Sequence, residues 1–77
     1  MAKVIANHIK CNVYFTIFDS RQFAKKEKEF RKAMDKQIHR SCDNVIYNGN
    51  EVTFKVFLAF NDTDAEKVIN FVEKFFA

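Results

Sequence analysis

This 77-residue chain has a single glycine and no proline. Positive backbone φ carries no side-chain penalty only at glycine, so Gly49 marks the one place where a tight reversal is written openly into the sequence. Asn48-Gly49 is the pair a type I′ hairpin turn asks for, and alternating apolar runs flank it. The spacing predicts arms over residues 45–47 and 51–60, with Asn48 and Gly49 in the turn. Tyr47 would then oppose Asn50 and Val45 would oppose Val52. In the second arm Val52, Phe54, Val56, Leu58 and Phe60 share one face, while Thr53, Lys55, Phe57 and Ala59 share the other. With its only glycine used there, the chain has no Gly-rich loop to cradle phosphates, which excludes nucleotide hydrolysis.

Residues 9–18 also alternate. Ile9, Cys11, Val13, Phe15 and Ile17 form an apolar set, and Lys10, Asn12, Tyr14, Thr16 and Phe18 a second face. This reads as one strand, which residues 4–8 either extend or accompany as a separate piece. Asp19 or Ser20 offers an N-cap, with Gln22 spaced for a capping box, and Phe23, Phe30, Met34 and Ile38 recur at helical intervals through residues 20–39. Near the end, Thr63 and Glu66 have capping-box spacing, and Ala65, Val68, Ile69, Val72, Phe75 and Phe76 make the apolar stripe of a second helix.

The element order β-α-β-β-α predicts one α+β domain over residues 1–77. It would be a two-layer sandwich with a three-stranded antiparallel-type sheet and both helices on one face. That arrangement resembles a ferredoxin-type split βαβ unit without its last strand. Ten phenylalanines fill the small core with large rings. A chain of this size with no catalytic motif is expected not to be an enzyme, because catalysis needs a rigid concave site as well as a core to hold it.

Two surfaces invite function. The net charge is +3, and at about 100° per residue Arg21, Lys25, Lys28, Lys32, Lys36 and Arg40 fall within an arc of about 120°, with only Glu29 among them. The buried stripe lies directly opposite. Such a row suits contacts to successive phosphates of RNA or another nucleic acid, although lysines also make an ordinary solvated helix face. The second surface is the bare sheet face, where Tyr14, Phe18, Lys55 and Phe57 are candidates for a partner or dimer interface. Aromatics on the two central strands stack bases in RNA recognition motifs. Val13-Tyr14-Phe15 and Lys55-Val56-Phe57 resemble those signatures faintly, but the glycine that should follow the basic residue is missing.

His8-x-x-Cys11 and His39-x-x-Cys42 repeat one spacing that could suggest zinc. Residues three apart on a strand point to opposite faces, and no tight Cys-x-x-Cys knuckle is present, so neither a metal nor another cofactor is expected. The cysteines read as reduced thiols. With no leader-like apolar run in residues 1–7 and no spanning segment, a cytoplasmic location is expected. Phe, Ile, Lys and Asn total 33 residues against 11 for Gly, Ala, Pro and Arg, the bias of an AT-rich gene such as a bacteriophage carries. The expected function is nucleic-acid binding through the basic helix by a homodimer. The alternative is a phage-type inhibitor or antitoxin-like factor that blocks a host enzyme or defence component through the same basic helix or an exposed strand edge, an acidic patch on that partner providing the attraction.

Overall fold

The computed structural model describes residues 2–59 and 62–77. Strands β1 (Val4–Ile9) and β2 (Asn12–Ile17) lead into helix α1 (Ser20–Ile38), followed by strands β3 (Cys42–Asn48) and β4 (Glu51–Phe57) and helix α2 (Ala65–Phe76). The class is α+β, with two helices and one antiparallel sheet in the order β1-β2-β4-β3.

The sheet has four strands, not the three expected. Residues 4–9 fold back on β2 as a separate strand, Ile9 opposing Asn12 across a two-residue loop at Lys10 and Cys11. Lys10 takes φ 52°, a left-handed conformation that a non-glycine residue adopts at some cost. The His8 ring Nε2 lies 2.8 Å from the Lys10 carbonyl, to which it donates as the Nε2–H tautomer. Because Cys11 is apolar, the alternation runs on through the turn and hides it. Ile9 therefore lies on the outer face with Asn12, and Cys11 sits half-buried in the loop instead of in the core.

The second hairpin forms where expected, but its loop lies one residue further along, which shifts each pairing by two residues. Asn48 opposes Glu51 and Tyr47 opposes Val52, which puts Gly49 and Asn50 in the loop. Gly49 alone has positive φ there (61°), whereas type I′ needs it at both central residues. Tertiary contacts select this register. The Asn50 amide donates to the Phe18 carbonyl at 3.0 Å, and its oxygen accepts from the Ser20 N–H at 3.3 Å, tying the loop to the start of α1. Val45 and Tyr47 face the helices, and a bulge between Asp43 and Ile46, with Asn44 at φ 56°, shifts the pairing so that Cys42, opposite Val56, faces them too. Strand β4 stops at Phe57, and Phe60, expected on the inner face of this arm, lies outside the described residues.

Helix α1 starts as the sequence indicates, with Asp19 accepting from the Gln22 N–H at 3.0 Å. The Gln22 side chain does not complete a capping box and donates instead to the Phe76 carbonyl at 3.5 Å. The helix closes at His39, in the left-handed region, whose N–H reaches the Asp35 carbonyl. Helix α2 begins at Ala65 after a 3-10 turn over Asp62–Asp64, not at a Thr63 capping box. Both helices close over the sheet face that carries Val13, Phe15, Ile17, Val52, Phe54 and Val56. Phe30 is the hub of this core. Its ring centroid lies 4.9 to 6.1 Å from those of Phe23, Phe54, Phe71, Phe75 and Phe76.

Candidate functional site

The candidate site is the outer surface of the helical layer. Along α1 the buried side chains Phe23, Phe30 and Met34 fix the rotation of the helix, which turns Arg21, Lys25, Lys28, Lys32 and Lys36 into solvent. All five are exposed, and among the described residues none makes an ion pair. The acidic residues of α1 do not neutralise the row. Glu27 is turned toward β3, where it accepts from Arg31 at 3.0 Å and from the Tyr47 hydroxyl at 3.3 Å. Glu29 is exposed within the row and Asp35 near its margin.

Arg40 is a correction. The left-handed cap at His39 ends the helical progression, so Arg40 swings off the stripe and pairs with Asp64 at 2.7 Å. It pins the end of α1 to the start of α2 and is spent as a structural clamp.

Sequence reading missed the contribution of α2. Lys67 and Lys74, one on each side of Asn70 and Phe71, line an open groove of about 330 Å³ with Gln37 and Ile38 of α1. Lys26 extends the same side of α1, its Nζ 5.9 Å from the centre of the Phe75 ring. The available signal was the seven-residue interval between Lys67 and Lys74, two helical turns, with Glu66 and Glu73 set one position back on the side away from α1. The cations that line the groove are those of α2, and α1 contributes Gln37 and Ile38 to it.

The opposite side of the molecule differs chemically. Ile5, Ile9, Tyr14, Ile46 and Phe57 lie on the bare sheet face with 42% to 59% of their surface exposed. Tyr14 and Phe57 stand on the two central strands as diagonal neighbours, since Tyr14 opposes Lys55 and Asn12 opposes Phe57. Lys55 is flanked across β3 by Asp43, so its charge is locally balanced. Phe18 lies past the end of β2, half-buried, with the Lys3 ammonium 5.6 Å from its ring centre. Without surplus cations this face lacks the electrostatic attraction that holds a nucleic-acid backbone over a stacking platform. Its apolar content suits contact with protein.

Three titratable groups on or beside β3 are perturbed. Burial pushes the Cys42 thiol above its ordinary pKa, which keeps it protonated and a poor nucleophile at neutral pH. Burial, then the neighbouring Glu27, raises Tyr47. The Arg31 guanidinium is raised by its hydrogen bond to Glu27 and also donates to the Cys42 carbonyl at 3.3 Å, joining α1 to edge strand β3. The two His-x-x-Cys spacings fall in separate connections, Cys11 in the β1–β2 loop and His39 between α1 and β3. Among the described residues no group of three or more His, Cys, Asp or Glu could hold a metal ion, and no helix is long and apolar enough to cross a membrane.

Comparison of the chain with models of known protein families, with curated proteins and with solved structures found no match.

Proposed function

We propose that this protein is a non-enzymatic binding protein that engages RNA or another nucleic acid through the outer surface of its helical layer. The observation that carries the reading is the exposed, unpaired row Arg21, Lys25, Lys28, Lys32 and Lys36 on a single rigid helix. Side chains on one face recur about every 5.4 Å along a helix, close to the spacing of successive phosphates in a nucleic-acid strand, so several contacts form without distortion of the protein. The groove beside the row brings Lys67 and Lys74 as further cations and Asn70 and Gln37 as hydrogen-bonding groups. Affinity of this kind is sequence-independent and falls steeply with salt as counterions are released.

The test is a titration of single-stranded and duplex oligonucleotides over a series of salt concentrations. Reversing Lys25, Lys32 and Lys36 to Glu should weaken binding by about 100-fold or more and flatten the salt slope by about 3. An unaltered protein that shows no binding at low salt would refute the reading.

A second reading, that of an inhibitor or antitoxin-like factor docking on another protein, is favoured by the apolar sheet face with Tyr14 and Phe57 at its centre. Recovery of a protein partner that survives nuclease treatment, and is lost with Phe57→Lys, would favour it over the first.

A further inference from the structure

The two edges of the sheet are unlike. Strand β3 is broken by the bulge between Asp43 and Ile46, with Asn44 at φ 56°, which is the usual way a free edge is protected from pairing. Strand β1 has no such device. Its six residues run in unbroken register against β2, and none of them is Lys, Arg, Asp or Glu. In an antiparallel ladder alternate residues exchange both backbone bonds with the same neighbour. The Phe18 N–H bonds to Lys3, which assigns Ile5, Asn7 and Ile9 to β2 and turns the N–H and C=O groups of Val4, Ala6 and His8 outward. Ahead of them, the outward N–H of Ala2 is already taken by the Phe76 carbonyl at 3.0 Å.

We infer that β1 pairs with β1 of a second copy of this chain, antiparallel and centred on Ala6. A two-fold axis at Ala6 sets Ala6 opposite its own counterpart and Val4 opposite His8 of the partner subunit. All three outward residues then fall in sites where both bonds are exchanged. The chain is self-complementary in this register. The smallest side chain of β1 lies at the axis, where each copy faces itself, so no bulky group is set against its own counterpart. Lys3 opposes Ile9 of the partner subunit, so no lysine faces a lysine. An unrelated peptide would find the same backbone groups but not this matched set. The pairing makes one eight-stranded sheet, with both cationic helical layers on one side and both apolar faces on the other. It is independent of whether the cations bind nucleic acid.

The test combines sedimentation equilibrium with residue-resolved amide exchange at several protein concentrations. Below about 1 mM, in the range of small, weak interfaces, the mass should rise from monomer to dimer. Over the same range the amides of Val4, Ala6 and His8 should slow at least tenfold, while those of Ile5, Asn7 and Ile9 are protected throughout. Ala6→Pro removes an outward donor, a substitution an edge strand tolerates, and should leave a folded monomer. Phe57→Lys should still dimerise. A monomer at every concentration overturns the proposal and leaves the edge to an extended peptide of another protein. A dimer whose Val4, Ala6 and His8 amides do not slow, or one dissociated by Phe57→Lys, overturns it in favour of the sheet face. If Ala6→Pro does not fold, the exchange pattern of the unaltered protein decides alone.

Discussion

The two broad outer surfaces of this molecule are built on opposite principles. The helical layer presents charged side chains on long stems that stay solvated until a counter-charge arrives, so its attraction acts over a Debye length and weakens with salt. The sheet presents Ile5, Ile9, Tyr14, Ile46 and Phe57, which contribute only when water is expelled on direct contact. A single core separates them. What the difference teaches is that one small fold can hold two chemically unlike surfaces on opposite sides, provided that the core keeps both layers in place.

Breaking the core should therefore abolish both surfaces together. Phe30→Ala removes the ring that touches five others, and it should cost about 3–5 kcal/mol in urea unfolding. For a 77-residue domain that is a large share of the total, and the variant is expected to be mostly unfolded near 37 °C. Next in size is a contrast between the surfaces. The triple lysine reversal should lose nucleic-acid affinity with stability changed by less than about 0.5 kcal/mol, whereas Phe57→Lys should keep that affinity. Equal losses from both variants would mean that the faces act as one site.

Alkaline pH probes the contact between α1 and β3. Cys42 and Tyr47 have pKa values raised in the folded state, so above the ordinary thiol pKa of about 8.5 the unfolded chain releases protons that the native one retains. Stability contributed by these groups is fully present below that point and should decline as pH rises further. Thermal unfolding from pH 7 to 10 checks the sign, and Tyr47→Phe with Cys42→Ala should flatten the decline. The smallest effects distinguish the two hairpins. Gly49→Ala should destabilise by about 1 kcal/mol through backbone strain alone, because a Cβ there meets nothing within 4 Å. Lys10→Gly, at the corresponding loop position with φ 52°, should stabilise by about 0.5 kcal/mol.

Those hairpins also show how much could be read in advance. The turn with glycine was visible and the turn with Lys10 and Cys11 was not, because a positive φ at lysine leaves no trace in residue type. The missing strand followed from that, since Cys11 carried the alternation across the loop. On α1 the stripe was legible through a period of 3.6, and five of its six expected cations are exposed on it. Arg40 was misplaced because the helical projection was carried past the His39 cap. Periodicity within α2 does not place Lys67 and Lys74 in a groove, because that placement depends on where α2 lies against α1.

By itself the sequence determined both helices, the faces they bury and the inner-face residues Val13, Phe15, Ile17, Val52, Phe54 and Val56. These follow from local spacing of apolar side chains, and each segment expresses that spacing wherever it docks. Tertiary structure alone decided that residues 4–9 complete the sheet, that Asn50 sets the second hairpin one residue along, and that Arg40 answers Asp64. Each of those choices lies between local conformations of nearly equal energy. A few hydrogen bonds to a distant segment, each contributing about 1 kcal/mol, are enough to settle them.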